Sequence, residues 1–200
     1  MLREVVIATR NPGKLREIEG ILAPLPVEFL SLKDFPEIRE VVEERSTFAE
    51  NAEMKARTIA RLTGRLAIAD DSGLAVEALK GRPGVFSSRY AGEKATDQER
   101  CQKLLNEMAA VPEGRRQATF VCAMAVANPA GKMRVVQGEC QGQISFAPRG
   151  KHGFGYDPIF FVPEFGKTMA ELEPEVKNHI SHRARALEKL KLILPEFLSS

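Results

Sequence analysis

The sequence predicts an α/β protein: a two-lobed single domain over residues 1–200, with a mixed β-sheet flanked by helices. Three observations predict it. In the first half, short β-branched runs alternate with stretches in which apolar residues recur at helical spacing. In the second half, two long apolar runs flank "NPAG", a turn signal, and read as a hairpin, so the sheet cannot be wholly parallel. A chain of 200 residues, 44% hydrophobic and 28% charged, has the balance of one globular domain and not that of a disordered or fibrous chain.

Taken in order, "EVVIA" (4–8) is a strand and "TRNPGK" (9–14) a loop, after which Leu15, Ile18, Ile21 and Leu22 mark one face of a helix. Residues 24–45 mix prolines with charge and suit short strands and connections. Thr47 is placed to cap the next helix with Glu50 as the third residue of a capping box, and Gly64 to end it. "LAIA" (66–69) is a strand, and "DDSG" (70–73) leaves it. Thr96 or Asp97 opens a helix that runs through Met108. "QATFVCAMAVA" and "KMRVVQGECQGQISF" form the hairpin, and a glycine-rich loop then leads through "GFGYDPIF" into a short strand. A helix from about Ser181 to Leu194, with Ala184, Leu187, Leu190 and Leu194 on one face, closes the chain.

Several classes of function are disfavoured at once. Twenty-nine basic and twenty-seven acidic residues leave a formal charge of +2, which argues against a nucleic-acid partner; an anionic ligand has to be caught locally. The apolar runs are too short to span a bilayer, and the first residues enter a strand without room for a leader, so no membrane partner is expected. Three scattered cysteines without a Cys-x-x-Cys pair speak for a reducing, cytoplasmic setting and against structural zinc.

Four stretches carry chemistry. In "ATRNPGK" a strand, a glycine loop and a helix start aim backbone N–H groups at one point, with Lys14 as a mobile cation and Thr9 and Asn11 as hydrogen-bonding groups. It is a phosphate cradle or simply a helix start with proline in its first turn; Leu15 after the lysine excludes a P-loop. "ADDSG" is either a polar turn or a site where one carboxylate meets a hard cation, since Mg2+ needs only one or two carboxylates beside phosphate and water. In "GFGYDPIF" the glycines permit close backbone approach, and Phe154 or Tyr156 could stack on a base or pack in the core. In "KNHISHRARA", Lys177, His179, His182 and Arg183 gather at a helix start, either as a solvated basic face or as donors to a phosphate or a base carbonyl.

In this order, "ATRNPGK", "TFAENAEMKA", "ADDSGLAVEALKGRPGVFSSRYAG", "GFGYDPIF" and "ISHRARAL" resemble the inosine triphosphate pyrophosphatase family over nearly the whole chain. The resemblance implies an elongated two-lobed α/β fold, a homodimer, and Mg2+-dependent hydrolysis of ITP, dITP or XTP to the nucleoside monophosphate and pyrophosphate. It assigns Thr9, Arg10, Asn11, Pro12, Gly13 and Lys14 to the triphosphate, although many relatives carry a small residue where Arg10 stands. Asp71 matches the catalytic general base and metal ligand, and Ser72 a substrate contact. Glu43 matches a second metal carboxylate, with Glu44 its rival one residue on. Phe154, Gly155, Tyr156, Asp157, Lys177, His182 and Arg183 match nucleotide-binding positions.

Asp71 is then expected to position and deprotonate a water, while Asp70 raises the local negative potential, strengthening cation binding or holding the loop; Ser72, without an adjacent base, is a poor nucleophile. A donor such as Arg183 or His182 would pair with the C6 carbonyl of hypoxanthine and oppose the amino group of adenine. Two rival readings are a regulatory module that binds triphosphates without cleaving them, and a pyrophosphatase for modified pyrimidine or methylated nucleotides.

Overall fold

A computed structural model describes residues 2–39, 41 and 44–198. Among the described residues, seven strands form one mixed sheet in the order β2-β1-β3-β4-β5-β6-β7. They are β1 (Arg3–Ile7), β2 (Val27–Ser31), β3 (Leu66–Val76), β4 (Gln117–Ala127), β5 (Met133–Ile144), β6 (Phe160–Val162) and β7 (Lys167–Thr168). β1 pairs in parallel with β2 and with β3, whereas β5–β6 and β6–β7 are antiparallel, so the α/β class with a mixed sheet is what the chain adopts. The helices are α1 (Pro12–Leu22), α2 (Phe48–Thr63), α3 (Asp97–Glu107), α4 (Pro174–Ile180), α5 (His182–Ile193) and α6 (Pro195–Leu198). None in the described residues is long and apolar enough to cross a membrane.

The chain divides into two compact units: Met1–Asp71, Cys122–Gly138 and His182–Ser200 form the first, and Ser72–Val121 and Glu139–Ser181 the second. In the first, strand alternation sorts side chains onto two faces. Val5, Ile7, Leu66 and Ile68 share a core with Ile18 and Leu22 of α1 and with Leu187 and Leu190 of α5. Val6, Ala8, Ala67 and Ala69 share another with Ala52, Ala56, Ile59 and Ala60 of α2. Those alanines leave only Cβ atoms between helix and strands, which suits a helix laid flat on a sheet. In the second unit Leu74, Val76, Leu104, Met108 and Ile159 pack around Phe120 and Phe160, whose rings lie 4.2 Å apart and tilted.

Local chemistry sets most boundaries. Asn11 caps α1 with proline in the first turn. Thr47 accepts from the Glu50 N–H and caps α2, although the Glu50 carboxylate takes the hydroxyls of Ser46 and Thr47. Gly64, at φ 65°, ends α2 in the left-handed conformation that glycine adopts without strain. Thr96 and Glu99 close a full capping box on α3. Two expectations are corrected. "DDSG" does not leave the strand: β3 continues through Asp70, Asp71, Ser72 and Gly73 to Val76. The basic residues of "KNHISHRARA" do not share a helix start, because extended Ser181 separates α4 from α5. Lys177 and His179 therefore lie in the last turn of α4, where the helix dipole favours cations.

Candidate functional site

Because β3 runs straight through the acidic pair, Asp70 and Asp71 project to opposite faces of the sheet. That divergence is how two buried neighbouring carboxylates, 1% and 4% exposed, coexist. Asp70 shares its face with Leu66 and Ile68 and meets α1 and α5: Lys14 Nζ lies 2.8 Å and Arg183 Nη2 3.4 Å from its Oδ2. Arg183 also donates to Glu17 of α1, so two cations and two carboxylates balance in one buried cluster. Lys55 of α2 donates to the Asp70 main-chain carbonyl at 2.8 Å. Burial alone would raise the Asp70 pKa, but Lys14, Arg183 and Lys55 outweigh it and hold the carboxyl well below the usual carboxylate range. For Arg183, burial opposes the charge, and Asp70 and Glu17 more than restore it.

Asp71 faces α2 instead. Its Oδ2 accepts from Asn51 Nδ2 at 2.9 Å, and Asn51, fully buried, accepts the Arg45 N–H on its Oδ1 at 2.9 Å. One amide thus ties the backbone at Arg45 to the Asp71 carboxylate. Glu44 is exposed there, and Glu43, the expected second metal carboxylate, lies outside the described residues. Among the described residues no three His, Cys, Asp or Glu side chains are grouped to hold a metal by themselves.

The first loop differs from a cradle of free amides. Asn11 Oδ1 accepts from the Gly13 and Lys14 N–H groups, and Thr9 Oγ1 from the Asn11 N–H. Arg10, at the position where the resemblance departs, donates to the Ile38 carbonyl at 2.7 Å. The loop's available donor is Lys14 Nζ, which has three N–H bonds and directs one to Asp70.

A second constellation belongs to the second unit. Asp157, 3% exposed, accepts from Lys177 Nζ at 2.6 Å and from the Phe154 N–H at 2.9 Å, both on Oδ2. Lys177 Nζ also sits 4.8 Å from the centre of the half-buried Phe154 ring. Tyr156 is buried, its hydroxyl donating to the Ser87 carbonyl, so of the two aromatics Phe154 is the one placed to stack on a ligand. His182 is buried at the first position of α5, and Ser72 is half-buried on β3. A cavity of about 390 Å³, lined by Arg116, Arg149, Phe146 and Phe161 among others, contains none of the expected site residues. Its buried Arg116 is a structural staple that donates to the carbonyls of Met108, Val111, Ile144 and Ser145.

Gly153 explains the tightness of the second constellation. A Cβ on it would stand 2.1 Å from Asp157 Oδ2, and its φ of +78° disfavours any other residue. Gly153→Ala should therefore cost about 1–3 kcal/mol in backbone strain and displaced carboxylate. Urea denaturation of the variant checks this, and an unchanged midpoint would show that the carboxylate moves aside freely.

Sequence reasoning missed Glu17, Asn51, Lys55 and Asp97. Asn51 and Lys55 had a legible signal, a four-residue spacing on the edge of the α2 apolar stripe. Glu17 and Asp97 had none, because each acts through a partner more than fifty residues away.

Fold and charges together define a class: a mixed-sheet α/β protein with two adjacent buried carboxylates on its third strand, one of them ion-paired with Lys14 and Arg183. The Ham1 family profile matches residues 5–193, and the chain belongs to the Ham1 family. It is 56% identical over 189 residues to the dITP/XTP pyrophosphatase of Geobacillus kaustophilus, covering 94% of this chain and 93% of that one. It is 54% identical over 190 residues to the dITP/XTP pyrophosphatase of Geobacter sulfurreducens, covering 95% and 96%. Among solved structures, a HAM1 protein from Coxiella burnetii is similar at a TM-score of 0.89 and 47% identity, over 98% of this chain and all of that one.

Proposed function

We propose that the chain hydrolyses non-canonical purine nucleoside triphosphates (ITP, dITP and XTP) to the nucleoside monophosphate and pyrophosphate. The observation that carries this reading is how the two carboxylates are held: Asp70 is ion-paired with Lys14 and Arg183 on one face of β3, and on the other Asp71 accepts from the amide of Asn51, which fixes its position. The relatives named dITP/XTP pyrophosphatase support the substrate class.

In this mechanism Asp71 orients a water and accepts its proton as the oxygen bonds to the α-phosphorus and the bridge to the β-phosphate breaks, releasing pyrophosphate. Lys14 keeps two N–H bonds for phosphate oxygens while its third holds Asp70. The donor chemistry fits a hard divalent cation: Asp71 offers carboxylate oxygen, and we assign a second carboxylate to Glu43 or its rival Glu44. Mg2+ held there would supply positive charge against the phosphate oxygens. We assign nucleotide contacts to Thr9, Arg10, Asn11, Pro12, Gly13, Ser72, Phe154, Gly155, Tyr156, Asp157, Lys177, His182 and Arg183. Some of these contacts are made by the backbone, since Tyr156 is buried. Arg183 carries the further task of holding Asp70. The reading includes a cytoplasmic homodimer.

A panel of ITP, dITP, XTP, ATP, GTP and modified pyrimidine triphosphates, assayed for pyrophosphate with Mg2+ and with chelator, tests it. Preference for the first three over ATP should be roughly ten- to a hundredfold for each donor that opposes the adenine amino group. Chelator should abolish turnover. Release of orthophosphate, or equal rates with ATP, would overturn the reading.

A further inference from the structure

The glycine loop 153–155 is held from outside by helix α3. Gly155, at φ +62°, lies between Phe154, the proposed stacking ring, and Tyr156, which is buried. Asp97, the first residue of α3, accepts the Gly155 N–H on Oδ2 at 2.7 Å. One turn later, the Cys101 thiol donates to the Gly155 carbonyl, with Sγ 3.3 Å from the oxygen. Both ends of one residue are therefore gripped by one helix. The second oxygen of Asp97 is ion-paired with Arg100, whose Nη1 donates to the carbonyls of Ser88 and Ala95. Tyr156 in turn donates to the carbonyl of Ser87, so the segment around residues 87 and 88 braces loop and clamp alike.

We propose that Asp97 is a positioning residue for nucleotide selectivity: by gripping the Gly155 peptide together with Cys101, it fixes the Phe154 ring and the Asp157 carboxylate that holds Lys177. Glycine in the left-handed region is the loosest joint of the loop, free to exchange backbone wells that other residues avoid. Anchoring both its N–H and its C=O removes that freedom where the ring is carried. Asp97 is the stronger anchor because its bond is charge-assisted. The Cys101 thiol, its pKa pushed up to about 12 by burial and by the charges of Asp97 and Asp157, stays protonated and able to donate. The clamp does not touch substrate and takes no part in the proton transfer assigned to Asp71.

The proposal rests on the assignment of Phe154 and Lys177 to the nucleotide, and the test separates the two ideas. Asp97→Ala, Asp97→Asn and Arg100→Gln are compared with the native protein by amide hydrogen exchange at Gly155 and by dITP and dATP kinetics. Asp97→Ala should expose the Gly155 N–H to exchange at least about tenfold faster, raise KM for dITP about tenfold, and lower the dITP-to-dATP preference by a similar factor, with kcat within threefold. Asp97→Asn keeps an oxygen for the Gly155 N–H, though without the charge, while losing the Arg100 ion pair, so it should restore most of both exchange protection and selectivity. If Asp97 merely stabilises α3 through Arg100, Asn fails to rescue and Arg100→Gln mimics Ala, which overturns the proposal. Unchanged Gly155 exchange in Asp97→Ala also overturns it. Faster exchange with unchanged preference, accompanied by an inert Phe154→Ala variant, places the failure in the assignment of Phe154 to the nucleotide and leaves the clamp standing.

Discussion

Asp71→Asn should lower turnover of dITP by about a thousandfold while leaving nucleotide binding within a few-fold of native. The size follows from what general-base catalysis contributes, typically about 10²–10⁴. The substitution keeps the shape of the side chain and an oxygen that can accept from Asn51, so the buried amide link to the Arg45 backbone survives. What is lost is the carboxylate proposed to accept the proton of the water, together with the negative charge that would hold the cation. Pyrophosphate release and equilibrium binding of dITP, measured on the same preparation, separate these from a general loss of fold. Near-native turnover would remove Asp71 from the proton transfer.

Asp70→Asn sharpens the comparison. It removes the carboxylate that Lys14 and Arg183 share and leaves uncompensated positive charge beside the buried Arg183, so this variant should be destabilised where Asp71→Asn is not. Chemical denaturation of the two variants side by side distinguishes the carboxylate that balances buried cations from the one proposed for proton transfer. Equal losses of stability would mean that both aspartates belong to one scaffold.

How much of this was legible in the sequence depends on how far each signal reaches. The hairpin turn at residues 128–131, the caps at Thr47 and Thr96 and the left-handed Gly64 are local, and the structure has them where the sequence predicts. The acidic pair reads in the sequence as leaving the strand, and the structure corrects that form. Asp, Ser and Gly in succession are turn residues by propensity, and here the pairing of β3 overrides that preference, as tertiary context commonly does. The consequence is chemical as well as geometric, because a strand sends neighbouring side chains to opposite faces where a turn would have left them together. The shared helix start of the basic residues is a misreading with a related cause. Proximity in sequence suggests one helix end, yet Ser181 separates α4 from α5, Lys177 is met by Asp157, and Arg183 is met by Asp70 and Glu17. Such ion pairs are chosen by the packing of distant elements, and no spacing rule reports them.

Arg183→Ala should cost about 3–5 kcal/mol, because it strands the carboxylates of Asp70 and Glu17 that the guanidinium now bridges. At this chain length that corresponds to a fall in Tm of about 6–20 °C. Arg183→Lys keeps the charge but not the planar fork that reaches two carboxylates, so it should fall between. The acid limb of the stability curve gives an independent sign. Asp70 in the folded protein is held below its unfolded value of about 3.9, so its contribution is fully present above that pH and is lost as pH falls toward the folded value. In that window the unfolded chain binds the extra proton, and native stability rises with pH. Without Arg183, burial acts on Asp70 against Lys14 and Lys55 alone, its folded pKa moves up, and the slope below about pH 4 should flatten. Urea melts across pH 2–7 would show it. A variant with native stability and native slope would mean that Arg183 is not what keeps Asp70 ionised inside the sheet. The charge balance that lets two adjacent aspartates share one strand would then lie with Lys14 and Lys55.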